Sequence, residues 1–199
     1  MVTTNNIEDM NEFPLIATKN VVEIVSLQDA KAVMLRGLQY FIGESAQWLP
    51  DYDIVADWLS DNKGRGIMLM GNNGIGKTII CQRVFPAIFQ YYLKLPYYSV
   101  DAKNLGEYYK NPVDNYELTI SRKPIIIDDV GVESIVNDYG EKHDLFSEIV
   151  DDAEKRSRLM VITTNLTPDE IKERYGYRTL DRLKSIVRAI KIEGESMRG

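Results

Sequence analysis

The chain has 199 residues, a formal net charge of −6 at pH 7, 44% hydrophobic residues and one cysteine, a composition typical of a globular domain with a buried core. A single cysteine excludes an internal disulfide framework and a cysteine-based zinc site, while the acidic balance argues against a generally basic nucleic-acid-binding surface but is compatible with a local basic strip. The N-terminus is unlike a signal peptide and no apolar run has membrane-spanning length, so we expect a cytoplasmic protein without membrane contact.

The first part of the chain predicts a leader followed by two helices. Residues 1–25 lack hydrophobic periodicity and are expected to be mobile, whereas 26–199 are expected to form one domain. Ser26 has the chemistry of a helix cap, with Asp29 in the first turn of the helix that follows. A second helix is predicted over 52–59. The apolar face of the first helix contains Ala30, Val33, Met34, Leu38 and Phe41.

The rest of the chain alternates between short apolar runs and amphipathic segments. The apolar runs predict buried parallel strands, and the amphipathic segments predict helices. Their alternation predicts a three-layer α/β domain with a mainly parallel five-stranded sheet and no large separate lid domain. The strands are predicted at 66–70, 97–100, 123–128, 159–164 and 190–192, and the helices at 78–92, 102–109, 145–153, from 168 onwards and at 179–185.

Residues 71–78 match the pattern G-x-x-x-x-G-K-[ST] between a predicted strand and a predicted helix. Glycines let the backbone point successive N–H groups at phosphate oxygens, Lys77 reaches the β- and γ-phosphates, and the Thr78 hydroxyl ligates Mg²⁺. The alternative is a Gly/Asn-rich turn with a surface lysine, but the order strand, loop, helix favours a nucleoside triphosphate site. The predicted nucleotide-binding residues are Gly71, Asn72, Asn73, Gly74, Ile75, Gly76, Lys77, Thr78 and Ile79.

Two carboxylates, Asp128 and Asp129, end the apolar run at 123–128. The carboxyl ends of strands in a parallel sheet face the ligand crevice. We therefore expect Asp128 to hold Mg²⁺, directly or through water, and Asp129 to orient or deprotonate the attacking water. Glu133 is a second candidate for the base, and the alternative for the whole segment is an acidic turn.

Asn165 ends the next apolar strand, in the sequence Thr-Thr-Asn. A side-chain amide at this edge of the sheet is able to hydrogen-bond the γ-phosphate or the attacking water, and its contacts then change upon hydrolysis. The alternative is a strand-end asparagine that begins a turn.

Two arginines, Arg178 and Arg182, are separated by four positions and share one face if the segment is helical. An arginine that enters the nucleotide pocket of a neighbouring subunit neutralises charge in the transition state. The alternative is a solvated helix face on which an arginine pairs with Asp181.

These motifs together resemble those of the AAA+ ATPases of the DnaC/DnaI helicase-loader and IstB transposition-helper group. That group has a GxxGxGKT loop, a strand ending in Asp-Asp-x-Gly-x-Glu, a Thr-Asn-Leu sensor, a Gly-x-Arg-x-x-x-Arg-Leu box and a closing Glu-Ser-x-Arg. The corresponding segments here are 71–78, 128–133, 164–166, 176–183 and 195–198. The match runs in order from about residue 50 to the end.

The resemblance implies the AAA+ sheet order and a set of site residues. Lys77 and Thr78 correspond to the first phosphate-binding motif, and Asp128 and Asp129 to the acidic one. The other implied roles are Asn165 as first sensor, Arg198 as second sensor, and Arg182 as arginine finger with Arg178 beside it. ATP and Mg²⁺ are the implied ligands, and a homo-oligomer is expected when ATP is bound.

The resemblance leaves the partner open. A replicative helicase and a transposase are both compatible with it, and so is a nucleotide-gated interaction module with negligible turnover. Single-stranded DNA is a further candidate, because 98–123 interleaves basic and aromatic residues, although acidic residues mixed among them are equally compatible with a plain solvated surface. The basic residues are Lys103, Lys110, Arg122 and Lys123, and the aromatic ones are Tyr98, Tyr108, Tyr109 and Tyr116.

Overall fold

The computed structural model describes residues 25–44, 46–72, 74, 76–138 and 141–193. The strands in this part of the chain are β1 Gly66–Met70, β2 Tyr98–Asp101, β3 Ile125–Val130, β4 Val136–Asp138, β5 Glu141–His143, β6 Met160–Thr164 and β7 Val187–Lys191. Five of them form one parallel sheet in the order β2-β3-β6-β1-β7, while β4 and β5 form a separate antiparallel pair. The predicted five-stranded sheet is therefore confirmed.

The helices follow the predicted alternation with strands. The helical segment α3, residues 77–92, alternates between α-helical and π-helical hydrogen bonding. The last helix, α7 (Pro168–Ile186), is broken into two helices at Gly176, where φ is 84° and ψ is 164°. None of the helices in the described ranges is both long and apolar enough to span a membrane. The other helices are α1 Ala30–Ile42, α2 Tyr52–Ser60, α4 Leu105–Lys110, α5 Pro112–Thr119 and α6 Leu145–Arg156.

Each face of the sheet has its own apolar core, because successive residues of a strand point to opposite faces. On one face, Leu69 of β1 belongs to a buried cluster with Trp58 of α2 and Phe85 of α3. On the other face, Met68 belongs to a cluster with Phe146 of α6. The sheet is thus covered by helices on both sides, as predicted for a three-layer domain.

The first helix begins later than predicted. α1 starts at Ala30, and Asp29 before it has a left-handed φ of 54° and makes no side-chain cap bond. The Leu27 N–H donates to the Leu59 carbonyl at 2.9 Å, which ties the residue after Ser26 to the end of α2. This tertiary contact prevails over the local capping tendency of Ser26.

Several further features differ from the sequence-based predictions, including the start of β7, which is Val187 and not residue 190. Phe41 is 39% exposed and packs edge-on against Tyr40, whereas the other four residues of the predicted face of α1 are buried. α5 was not predicted; the Asn111 side chain caps it by accepting the N–H groups of Val113 and Asp114. The β4–β5 pair was not predicted either, because these short polar strands lack hydrophobic alternation.

A buried arginine joins α5 to the sheet. Arg158 is 3% exposed and lies two residues before β6. Its guanidinium donates to the carbonyl oxygens of Glu117 at 2.6 Å, Leu118 at 2.7 Å and Lys123 at 2.7 Å. Burial lowers the pKa of Arg158 to about 10. This value is still well above neutral pH, and the side chain therefore stays charged.

Candidate functional site

The loop between β1 and α3 contains three glycines whose backbone lies in the left-handed region. Gly71, Gly74 and Gly76 have positive φ angles of 139°, 89° and 83°. Residues with a Cβ rarely adopt positive φ angles, whereas glycine does so readily. The three glycines therefore let the loop turn back before α3 begins at Lys77. Asn73 and Ile75 lie outside the described residues, and Ile79 is half-buried in the first turn of α3.

Lys77 is held at the centre of this loop. The residue is only 7% exposed. Its Nζ donates to the carbonyl oxygens of Gly71 at 2.8 Å and Asn72 at 2.7 Å, and to Oδ1 of Asn165 at 2.9 Å. The ammonium group is therefore fixed between the loop and the end of β6. Bound phosphate oxygens would replace these neutral acceptors with charged ones, which bind an ammonium more strongly.

Asp128 is the most buried acid of the site. It is 2% exposed, and its carboxylate is hydrogen-bonded to the Thr78 side chain. Oδ1 accepts from Thr163 Oγ1 at 2.5 Å and Oδ2 accepts from Gln82 Nε2 at 2.9 Å. The predicted pair of magnesium-binding oxygens, the Thr78 hydroxyl and the Asp128 carboxylate, is thus brought together.

This pair fits Mg²⁺ with only part of its coordination supplied by protein. Mg²⁺ typically takes one or two carboxylates and keeps phosphate oxygens and water as its other ligands. In the described ranges, no group of three or more His, Cys, Asp or Glu is placed to hold a metal ion. A fully protein-enclosed metal site is therefore not formed by these residues, whereas a nucleotide-dependent one is compatible with them.

Two residues of this arrangement were not identified from the sequence. Gln82 lies four positions after Thr78, so that α3 presents both side chains on the same face as Asp128. That spacing was a usable signal. Thr163 contacts Asp128 because the parallel register of β3 and β6 places the two strand ends together. No local feature of the sequence indicated that pairing.

Burial raises the pKa of Asp128 above its ordinary value of 3.8; hydrogen bonds from Thr163 and Thr78 oppose this, and the charges of Asp129 and Asp101 add to it. A raised folded-state pKa means that ionisation of Asp128 destabilises the fold above that pKa, and that this penalty disappears as the pH falls towards 3.8.

The substitution Asp128→Asn is therefore expected to raise the melting temperature at pH 7, with a gain that shrinks as the pH is lowered to about 4.5. For a chain of this size, 1 kcal/mol corresponds to about 2–4 °C, so differential scanning calorimetry resolves the change. Asp181→Asn, at an exposed position, is the matched control and should show no such pH-dependent gain. A folded Asp128→Asn protein that melts no higher than wild type at pH 7 contradicts the expectation.

Asp129 and Asn165 connect the acidic strand end to Lys77. The Asp129 backbone is left-handed, with φ of 59°, at an irregularity in the pairing of β3 with β6. Its N–H donates to Thr163 Oγ1 at 2.8 Å, and its Oδ1 accepts from Asn165 Nδ2 at 3.2 Å. The same Asn165 amide accepts from Lys77 Nζ with its oxygen. One amide thus contacts both a loop cation and a strand-end carboxylate, and Asn165 does not simply begin a turn.

Glu133 lies in the loop after β3, three residues beyond the end of the strand. It is 6% exposed, and its Oε2 accepts the Gly131 N–H at 2.8 Å. Its Oε1 accepts the Tyr175 hydroxyl and lies 3.5 Å from Arg174 Nε. Both carboxylate oxygens are therefore engaged by the protein, whereas the hydrogen bond described for the Asp129 carboxylate involves Oδ1 alone.

The two predicted arginines share a face of α7 and contact α6. Arg178 lies 3.3 Å from Asp151. Arg182 forms ion pairs with Asp151 and, at 2.8 Å, with Glu154. The predicted common face is confirmed, but its acidic partners are on α6 and not at position 181. The Arg198 position lies outside the described residues.

Comparison with known proteins gives no match at the level of sequence, since neither a protein-family profile nor a curated protein matches the chain. Solved structures do resemble it. The DnaC helicase loader aligns with a TM-score of 0.54 and 18% identity, over 84% of this chain and 93% of that one. DnaI aligns with a TM-score of 0.54 and 20% identity, over 86% of each chain.

The chain has the fold of the DnaC and DnaI helicase loaders. A protein from Streptococcus pyogenes serotype M3, described as a primosome component, is also similar, with a TM-score of 0.51 and 15% identity over 86% of this chain and 84% of that one. The fold that the motifs implied, a parallel α/β domain of the AAA+ type, is thereby confirmed. The sheet order β2-β3-β6-β1-β7 places β1 and β3 on either side of β6. Lys77, Asp128 and Asn165 consequently lie at the same edge of the sheet.

Proposed function

We propose that this chain is an ATPase that hydrolyses ATP between two subunits and acts in DNA replication as a helicase-loader-like factor. The observation that carries the proposal is the position of Asn165, whose amide contacts Lys77 Nζ at 2.9 Å and Asp129 Oδ1 at 3.2 Å. A phosphate-binding cation and a candidate water-orienting carboxylate are thereby joined by one side chain. The likeness of the fold to DnaC and DnaI supports the assignment to replication.

In this proposal, each residue of the site has its own role. The loop N–H groups and Lys77 hold the triphosphate, and the Thr78 hydroxyl and the Asp128 carboxylate hold Mg²⁺. Bound Mg²⁺ supplies neutralisation of phosphate charge. Asp129 orients the attacking water by accepting a hydrogen bond from it, while Asn165 keeps the Asp129 carboxylate in place. Rate enhancement then comes mainly from position and electrostatics.

Asp129 suits the water-orienting role better than Glu133 does. Asp129 is half-buried and contacts Asn165, which itself contacts Lys77. The oxygens of Glu133, in contrast, already accept hydrogen bonds from Gly131 and Tyr175. For Glu133 to act as the base, the attacking water would have to share one of these oxygens with its present donor or displace that donor.

A second candidate function, a nucleotide-gated interaction module with negligible turnover, is favoured by the ion pairs of the arginines. Arg182 is only 17% exposed and pairs with Asp151 and Glu154 of its own subunit. An arginine kept in this way contributes nothing to a neighbouring pocket. The two functions therefore differ in whether assembly releases Arg182 from α6.

The test is the dependence of steady-state ATP hydrolysis on protein concentration. Because each pocket would need an arginine from a neighbour, we expect turnover to rise more steeply than linearly over the micromolar range. A strictly linear dependence speaks against hydrolysis between subunits, and negligible turnover despite nucleotide binding favours the interaction module. Added single-stranded DNA is a second variable, tested at each concentration.

The partners of the proposed ATPase are a replicative helicase or, in the alternative as a transposition helper, a transposase. The chemistry is the same in both cases, so affinity capture from the source cell is the experiment that separates them. Single-stranded DNA is supported less strongly, because Lys103 pairs with Asp101 at 3.1 Å and Lys123 with Glu117 at 2.6 Å. These acids neutralise two of the four cations in the predicted DNA-binding segment.

A further inference from the structure

Glu133 is attached to α7 by both its main chain and its side chain. The Arg174 guanidinium donates to the Glu133 carbonyl oxygen at 2.5 Å, and the Tyr175 hydroxyl donates to the carboxylate. Burial, and then the neighbouring Glu133, raise the pKa of Tyr175, so that its hydroxyl remains a donor throughout the neutral range. The loop after β3 is therefore fastened to the residues directly before the break in α7.

The other end of this loop is the nucleotide pocket. Only three residues separate Asp129 from Glu133, and the first of these three, Val130, is the last residue of β3. Between them, Gly131 has φ of 116° and lies so close to Leu166 that an added Cβ would be 2.9 Å from its side chain. Glu133 Oε2 also accepts the Gly131 N–H. A loop this short and this tightly packed transmits a displacement of Asp129 to Glu133.

The break at Gly176 allows the two halves of α7 to have different directions. Before it, Tyr175 is 9% exposed and packs against Phe146 of α6, with ring centroids 4.9 Å apart. After it, the second half carries Arg178 and Arg182, which pair with acids of the same α6. Gly176 is the residue of α7 whose φ and ψ are not helical, and we take it as the hinge of this segment.

We propose that Glu133 is a positioning residue that couples the nucleotide pocket to the arginines, by holding Tyr175 and so setting the direction of α7 beyond Gly176. This proposal rests on the proposed function, since it gives that function a means of regulation. Nucleotide binding changes the contacts of Lys77 and Asn165, and through Asn165 those of Asp129. The short loop carries this change to Tyr175, and the second half of α7 releases or retains its ion pairs with α6 accordingly.

The substitution Tyr175→Phe tests the coupling, because it removes one hydroxyl and leaves the pocket and the arginines intact. Tyr177→Phe is the matched control: it removes a hydroxyl two positions away, on the other side of the hinge, from a residue that is 65% exposed. Hydrogen–deuterium exchange is measured over 177–186, with and without a non-hydrolysable ATP analogue and Mg²⁺. Steady-state kcat and KM for ATP and the affinity for the analogue are measured in parallel.

In wild type and in Tyr177→Phe, we expect the analogue to change exchange over 177–186. In Tyr175→Phe, the analogue should bind with unchanged affinity but leave this exchange unaltered. The kcat should fall about tenfold with KM unchanged, since misplacement of a catalytic group costs rate and not binding. Glu133→Gln, which keeps an oxygen acceptor for Tyr175, should fall between Tyr175→Phe and wild type.

Three results separate the possible failures. If wild type binds no nucleotide, the proposed function is wrong and the coupling with it. If nucleotide binds but exchange over 177–186 does not respond, or responds equally in Tyr175→Phe and Tyr177→Phe, the coupling alone is wrong. If Glu133→Gln abolishes turnover while Tyr175→Phe is fully active and exchange responds normally in both, Glu133 is a base and not a positioning residue.

Discussion

Replacing Lys77 by alanine is expected to abolish nucleotide binding. Lys77 supplies the only side-chain cation that the described residues place inside the loop, where its Nζ contacts the carbonyl oxygens of Gly71 and Asn72. Without it, the described residues of the loop offer the triphosphate main-chain dipoles but no side-chain cation, and bound Mg²⁺ would be left to neutralise the phosphate charge. We expect the affinity for a fluorescent ATP analogue to fall by at least about 100-fold, equivalent to about 2.8 kcal/mol.

The matched control for this variant is Lys172→Ala, which removes an equal charge from an exposed position on α7. It should bind the analogue as wild type does. Circular dichroism and thermal melting show whether Lys77→Ala remains folded, because the substitution also leaves two loop carbonyl groups with fewer donors. Wild-type affinity in folded Lys77→Ala protein would contradict the assignment of the loop.

The second large effect is expected for Arg182→Ala, in turnover and not in binding. An arginine that acts on a neighbour's transferring phosphate is worth about 10³-fold or more in kcat. Arg182 is also partly buried against Asp151 and Glu154, so its removal leaves two acids without this partner. Loss of activity by itself is therefore ambiguous between a catalytic and a structural effect.

A mixing experiment resolves that ambiguity. Asp129→Asn protein should be inactive because its pocket lacks the water-orienting carboxylate, yet it keeps Arg182. Arg182→Ala protein should be inactive for the opposite reason. If the arginine acts across an interface, mixing the two inactive proteins restores activity at sites that combine an intact pocket with an intact arginine. A mixture as inactive as its components would refute the intersubunit role of Arg182.

The sheet and the core of the pocket were predictable from sequence because they depend on regular features. The apolar runs at 66–70 and 159–164 match β1 and β6 to within one residue. Parallel strands end at one edge of a sheet, and for that reason Asp128 and Asn165 were correctly expected near the loop that carries Lys77. Each of these inferences needs only the direction of strands, which alternation with helices dictates.

The missed features depend on contacts between distant segments. The late start of α1 follows from a hydrogen bond between Leu27 and Leu59, which no local pattern reveals. The partners of Glu133 are likewise remote in sequence, since Tyr175 lies 42 positions away. The Asp-Asp-x-Gly-x-Glu context of Glu133 suggested a base, but its carboxylate oxygens accept hydrogen bonds from Gly131 and from Tyr175 of α7. A role in catalysis or in positioning is decided by such neighbours and not by the motif.

The buried guanidinium of Arg158 has a consequence for how the region between β2 and β3 moves. Removing its three carbonyl acceptors would leave a desolvated cation unpaired, which is costly, and opening at 117–123 is correspondingly disfavoured. The other part of this region, 102–111, is held differently, by the buried side chains of Ala102 and Leu105 and by the Asn115 amide, which donates to the Tyr109 carbonyl at 2.7 Å. A rearrangement of this region on binding a large ligand is therefore expected to leave residues 117–123 in place beside the start of β6.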